Sequence, residues 1–458
     1  MGEVRKMKRR YGRMMAGIFM ITVLICTPAL AKNGLIKDFP KKIYPLIPAP
    51  APASIWYVDG NAASDGDGLS WETAFKNIED AVEAADPTDD PCADEGDTIW
   101  VARGHYYPDH EILVTKVITL LGGFRGFETD ADERDPDRYK TIIHGGGHRC
   151  FNIGVPCTID GFTLQDGSTA VAGGCMLIED AISYCSAEDV YISPAINDCE
   201  ISHNDADTGG AVYIRGSDPT FFDCTFTDNT AKTGGAIYHA SASPQIKRCT
   251  FSDNTSTAPS SLGGGAIAGY RRNMITDKRM TITNCLFAGN WSESWGGAIS
   301  YNQVYPTITH CTFTQNEAGI AGGGFHGNAN SEAPKIRNSI FWGDYPDELD
   351  ITTASTYLDV RYCDIEGGWT GTEPGNISTD PFFLDTDNFR LTQDSPCIDA
   401  GADGLGAEVD LTGTARPLDG DEDGTATTDM GAYEFDPDEL PLYPAPIAPV
   451  KVVIKSLF

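Results

Sequence analysis

The hexapeptide "CTFTDN" at Cys224 returns 25 residues later as "CTFSDN" at Cys249, and this recurrence constrains the fold more than any other feature of the chain. Self-similarity at a fixed period means that one supersecondary unit is stacked on copies of itself. Aligned on the cysteine, the copies are "CEISHN" from Cys199, "CTFTDN", "CTFSDN", "CLFAGN" from Cys285 and "CTFTQN" from Cys311, with "SIFWGD" from Ser339 as a weaker sixth. The steps are 25, 25, 36, 26 and 28 residues. A glycine motif follows each asparagine: "GGAVY" at Gly209, "GGAIY" at Gly234, "GGAIA" at Gly264, "GGAIS" at Gly296 and "GGGFH" at Gly322. Short runs such as "PTFFD" and "PQIKR" precede the cysteines.

Each repeat therefore holds three short apolar runs, none with the length or period of a helix. The expectation is three strands per coil. In "CTFTDN" the cysteine and phenylalanine fall on one face of a strand and the threonines on the other. A constant period places like residues over like, as parallel coils do. The expected fold class is all-β: a right-handed parallel β-helix solenoid, its hand following the crossover rule for parallel strands. With coils about 4.8 Å apart, Phe226, Phe251, Phe287 and Phe313 would stack inside, beside a column of Cys199, Cys224, Cys249, Cys285 and Cys311. Asn204, Asn229, Asn254, Asn290 and Asn316 would form a ladder at a bend, where asparagine tolerates left-handed dihedrals and amides can bond along the column. The glycine pairs would turn another corner. These letters read as architecture rather than catalysis.

The chain opens with a basic segment, a short apolar core and small residues, the pattern of a signal peptide over residues 1–31 cut after Ala31. A secreted or cell-surface location is the expectation, and no other stretch is long and apolar enough to predict a membrane span. Removing the leader leaves 27 basic against 65 acidic side chains, a formal charge near −38. Such a surface repels nucleic acid. Of the twelve cysteines that remain, the columnar ones would point inward in parallel and stay reduced. Cys92, Cys150, Cys157, Cys175, Cys185 and Cys397 lie outside the motif and are the expected disulfide formers.

Proline-rich stretches at 32–54 and 436–458 bracket one domain. Within it, residues 55–140 would form an N-terminal cap and first coils, 141–380 the repeats and 381–435 a C-terminal cap. Trp71, Ala74, Phe75, Ile78, Ala81, Val82 and Ala85 share one face at helical spacing with Ser70 as N-cap, which predicts a single capping helix. Near the other end Asp419, Asp421 and Asp423 form a D-x-D-x-D-G loop, with Asp429 close to the closing position. Carboxylates on alternate positions can wrap a hard cation, so these four are the candidate ligands of a structural Ca²⁺, and no other cofactor is called for.

The alternating "GGAI" and "FTDN/FSDN" motifs resemble the repeats of chlamydial polymorphic outer membrane proteins. The frame "WYVDGNAASDGDGLSWETAFKNIEDAVEAA", with the ending "DSPCIDAGA…GTARPLDGDEDGTATTDMGAYEF", resembles secreted bacterial β-helix proteins of the pectin-lyase-like superfamily, including choice-of-anchor Q proteins. The resemblance spans residues 55–435 and implies the fold and export; it does not imply one activity. The NTD, GHG and RIK motifs of the polygalacturonase-like hydrolases of that superfamily are missing. No residue is assigned as catalytic. "HNDAD" from His203 reads as a solvated turn, "HGGGHR" with His144, His148 and Arg149 as a glycine-rich turn, and His239, Arg215, Lys247 and Arg248 as outward or corner positions. The long step after Cys249 carries Arg271 and Arg272, with Trp291 and Trp295 soon after. Insertions in repeats often line a binding face, and indole rings stack on sugars, so these four are the candidate glycan contacts. The leading expectation is a non-catalytic display or adhesion protein meeting polysaccharide or host-cell glycan. Alternatives are a polysaccharide lyase or glycoside hydrolase, and a carbohydrate-binding module.

Overall fold

The computed structural model describes residues 54–86, 96–185, 190–259, 262–270, 279–303, 305–329, 333–353, 358–405 and 408–438. The expected leader, residues 32–53 and 439–458 of the proline-rich stretches, Cys92, Arg271 and Arg272 lie outside the described residues.

The repeats stack as a parallel β-helix. The run before each cysteine adds a strand to an eleven-stranded sheet, and the "CTFT" run adds one to a ten-stranded sheet. The run after each glycine pair adds one to a nine-stranded sheet. A fourth, short strand follows each asparagine and builds a six-stranded sheet, so the central coils carry one strand more than the sequence led us to expect. Register is strict: Thr225, Phe226 and Thr227 pair with Thr250, Phe251 and Ser252, and Phe251 pairs with Phe287 across the longer 36-residue step.

The internal columns explain the repeated letters. Phe226, Phe251, Phe287, Phe313 and Phe341 stack face to face with centroids 4.4–4.8 Å apart. All five are buried completely. The cysteine column is buried and free; Ser339 takes its place in the coil after Cys311, and Cys363 resumes it one coil further on. Cys150, Cys157, Cys175 and Cys397 are also free and buried, which corrects the expectation of disulfides there; Cys185 is disulfide-bonded. The physical reason is visible for two of them. Cys150 and Cys175 precede Phe151 and Met176 at the corner that Ala211, Ala236, Ala266 and Ala298 occupy in later coils, so they act as small apolar fillers.

The asparagine ladder forms as expected, with one correction. The left-handed residue is the one before each asparagine, such as Asp228 (φ 54°) and Asp253 (φ 56°). The asparagine itself turns inward. Asn254 Nδ2 donates to Phe226 O and to Asn290 Oδ1, both at 2.9 Å, while its Oδ1 accepts from Asn229. At the glycine corner Gly209, Gly234, Gly264, Gly296 and Gly322 all adopt φ between 62° and 75°.

The capping segments differ from expectation. Residues 71–85 form a 3-10 turn (Trp71–Thr73), capped by Ser70 Oγ, and a separate helix α1 (Ile78–Ala84). Phe75 between them bridges to Val58 as an added strand position, and this interrupts the continuous helix that the spacing suggested. At the other end the segment after residue 381 lies along the outer face of the ten-stranded sheet. There the outward column runs Thr225, Thr250, Leu286, Thr312 and Ile340, with apolar letters entering at Leu286 and Ile340. Those apolar side chains need cover, and Phe389, Leu391, Ile398 and Met430 supply it. Ala432 N donates to Thr312 Oγ1 at 3.0 Å and Gly431 N to Asn338 O at 2.8 Å, which pins the segment across two coils. Its own centre is a fully buried pair, Arg416 with Glu434 at 3.1 Å, whose guanidinium also donates to the carbonyls of Asp429 and Gly431.

Candidate functional site: a groove on the nine-stranded sheet

In the glycine motifs, period-two alternation sends the isoleucine or valine inward and the next letter outward. Register then aligns the outward letters into a column: Tyr213, Tyr238, Ala268, Ser300, His326 and Asp350. Two residues on runs a second outward column: Arg215, Ala240, Tyr270, Asn302, Asn328 and Thr352. The first column narrows to Ala268 and Ser300, both fully buried, because the preceding loops settle onto them there. Those loops carry Leu262 and Trp295, and Ser300 Oγ donates to the Leu262 carbonyl.

A groove of about 470 Å³ results. It is lined by Tyr270, Asn302, Asn328 and Thr352 of the second column, by Tyr238, His326 and Asp350 of the first, and by Leu262 and Trp295 of the loops. Trp295 stacks on the His326 ring with centroids 4.7 Å apart and planes 30° apart. His326 is 8% exposed, and its Nδ1 lies 2.8 Å from Asp350 Oδ2. An ionised Asp350 accepts from Nδ1–H, and this contact orients the ring. Ser300, His326 and Asp350 follow one another in register, an order that invites comparison with a hydrolytic triad. The structure does not support one, since Ser300 is buried with its hydroxyl committed to a backbone carbonyl.

Of the four candidate glycan contacts, Trp295 lies in the groove. Trp291 does not; it sits on the six-stranded sheet between Thr255 and Glu317. Arg271 and Arg272 directly follow the groove residue Tyr270 in the chain but lie outside the described residues. His239 points inward and is fully buried, against the outward or corner position expected, because it is the second residue after inward Ile237 and so shares its face. Burial pushes its pKa down to about 4.

Of the four candidate calcium ligands, Asp419 and Asp421 come together, and the third carboxylate with them is Asp399, all three within 4.8 Å of one another. Asp423 Oδ1 instead closes a turn on Thr425 N at 2.8 Å. Asp429 is buried and accepts from Asp399 N and Phe435 N, which corrects its assignment as a ligand. Asp399 lies in "DSPCIDAGA", twenty residues before Asp419, so no local spacing announced it.

A second polar cluster lies on the first coils. His144 Nδ1 is 2.8 Å from Asp166 Oδ2, His144 Nε2 is 3.0 Å from His105 Nδ1, and Tyr107 stacks on His144 at 4.5 Å. The turn reading of "HGGGHR" holds for Gly146 and Gly147, which need positive φ. His148 and Arg149 tie that turn to Pro108 O and Glu111.

Residues 152–293 and 181–365 match the family described as right handed beta helix region. The chain is a right-handed parallel β-helix protein. Similar solved structures include pectate lyase Pel9A, at 12% identity and TM-score 0.47, covering 84% of this chain and 97% of that one. A rhamnogalacturonan lyase is similar at 12% identity and TM-score 0.38, covering 73% and 91%. Pectin methylesterase from carrot follows at 13% and 0.35, covering 72% and 89%. No curated protein matches. Similarity this distant leaves the activity to be argued from the residues themselves.

Proposed function

We propose that this chain is an exported surface protein that uses the β-helix as a rigid display scaffold and holds a saccharide in the groove of the nine-stranded sheet. The observation that carries this reading is the stack of Trp295 on His326, itself held by Asp350, in a groove that Asn302, Asn328 and Thr352 also line. An indole face offers apolar stacking to the C–H face of a sugar, and amides and hydroxyls at its foot offer the directional bonds that fix its hydroxyls. The leader-like N-terminus, the acidic surface and the resemblance of the "GGAI" repeats to those of polymorphic outer membrane proteins support export and display. Binding without turnover is favoured because the hydroxyl nearest His326 in the column is committed elsewhere. The carboxylates of Asp399, Asp419 and Asp421 provide a place for a structural Ca²⁺ that would brace the C-terminal segment.

The test is retention of the purified chain on immobilised xylan, cellulose and polygalacturonate, with product release followed at the same time, with and without calcium. Retention without product, weakened at least tenfold by Trp295→Ala, is the expected result. Product formation abolished by His326→Ala would replace the binding reading with a catalytic one. Equal retention of Trp295→Ala and wild type would remove the groove from consideration.

A further inference from the structure

Each rung of the asparagine ladder makes the same pair of bonds. The backbone N–H of Asn204, Asn229, Asn254 and Asn290 donates to Oδ1 of the next rung, and so does the side-chain Nδ2. The next rung after Asn316 is a carboxyl, Asp344. Its Oδ1 plays the usual part, accepting from Asn316 N at 2.7 Å and from Asn316 Nδ2 at 2.8 Å. Asp344 N then donates to Glu348 Oε1 at 3.2 Å, so Glu348 stands where a further rung would be. One bond is left over. In an asparagine it comes from Nδ2; here that place belongs to Asp344 Oδ2, an atom that donates only when protonated.

Asp344 and Glu348 are 8% and 6% exposed, and Asp344 Oδ2 and Glu348 Oε2 are both buried without a donor. Two bare carboxylates so placed repel each other, and a proton between them replaces that repulsion with a short, charge-assisted bond. Their charged neighbours offer no relief. Glu366, whose Oε2 accepts from Gly343 N at 2.8 Å, acts on both as a third negative charge. Asp347 is engaged with Gly322 N, and Asp350 with His326. Burial raises both groups, and at Glu348 the charge of Asp344 adds to it.

This pair opens the strand that completes the groove. Asp347 O accepts from Gly323 N at 2.7 Å and Glu348 O from Phe325 N at 3.1 Å. Two residues after Glu348, Asp350 sets the His326 ring. We propose that Asp344 and Glu348 share a proton that completes the ladder and positions Asp350, so that the groove loses its saccharide as the pair is deprotonated at alkaline pH. The binding half of this proposal rests on the groove reading above; the shared proton does not.

The sign follows from linkage. Unfolded carboxyls release their protons near pH 4, whereas the folded pair retains its own. Its contribution is therefore full in acid and declines as pH rises through the raised values. Asp344→Asn supplies the missing donor as an amide and needs no proton. The experiment compares wild type and Asp344→Asn from pH 6 to pH 10 by melting temperature and by affinity for soluble xylan and polygalacturonate. Wild type should melt progressively lower and bind roughly tenfold more weakly at the alkaline end, within the range that coupled sites show. Asp344→Asn should hold both nearly constant. Glu348→Gln, which offers its own N–H to Asp344, should do the same and serves if the first variant folds poorly. Parallel melting profiles for wild type and both variants would overturn the shared proton. A flattened melting profile with no binding by any form would overturn the groove reading and leave the proton in place.

Discussion

Replacing Asn254 with leucine tests whether the amide ladder, rather than the apolar stack beside it, carries the fold through the central coils. Asn254 is completely buried, and leucine matches its size. The change deletes the Oδ1 that accepts from Asn229 N at 3.2 Å and from Asn229 Nδ2 at 3.0 Å. Two buried N–H groups are then left without an acceptor, at about 1–3 kcal/mol each. The expected loss is about 2–6 kcal/mol, before the small gain from a more apolar side chain. Asn204 at the start of the ladder is an internal control. Its Oδ1 accepts one N–H, that of Gly167 at 2.8 Å, so Asn204→Leu should cost about half as much. The assay is denaturant unfolding followed by far-UV circular dichroism, with the slope inspected for separate transitions because a solenoid can unzip in parts. A loss under about 1 kcal/mol for Asn254→Leu, or equal losses at the two sites, would refute the reasoning.

Two further perturbations address other columns. Phe287 is sandwiched between Phe251 and Phe313 at 4.8 and 4.7 Å, so Phe287→Ala should cost about 3–5 kcal/mol in the same assay, and a cost near zero would show that neighbouring coils collapse into the gap. His310 accepts from Asn338 Nδ2 at 2.8 Å, and burial, with the Arg416 charge, pushes its pKa from 6.5 down to about 3. Its neutral form therefore supports the fold above about pH 6.5, and stability should fall toward pH 3 by up to about 1.4 kcal/mol per pH unit for this one proton. His310→Gln keeps an acceptor and should flatten that acid slope; an unchanged slope would assign the acid sensitivity to other groups.

The parts of this structure that were legible in the sequence are those in which one physical constraint repeats. A phenylalanine that must stack on a phenylalanine is written as a phenylalanine in coil after coil, and the same holds for the asparagines and the glycine pairs. The caps were less legible because each is a single event. Helical spacing over 71–85 was genuine, yet Phe75 gains more by bridging to Val58 than by continuing a helix. The entry of leucine and isoleucine among the threonines on the outside of the ten-stranded sheet was visible in "CLFAGN" and "SIFWGD", and it marked where the C-terminal segment would lie.

The groove was half written in the same repeats, in the letter that varies. The final letters of the glycine motifs read Tyr213, Tyr238, Ala268, Ser300 and His326, and they are the outward column. Inside a solenoid a changed letter must still fit the stack, so variation there is limited by packing. Outside, packing imposes little, and a departure such as a nearly buried histidine needs another cause. Asp350, which supplies that cause by fixing the ring, could not be found the same way. Its coil has no glycine pair to align on, because Asp347 has taken over the corner by accepting from Gly322 N and Gly323 N. The step that breaks the repeat is thus the one that completes the site. Asp344 ends the ladder three residues before Asp347, and the strand carrying Asp350 starts two residues after it. The end of the architecture and the edge of the groove are one segment, and a change in the protonation of the first should be felt in the second.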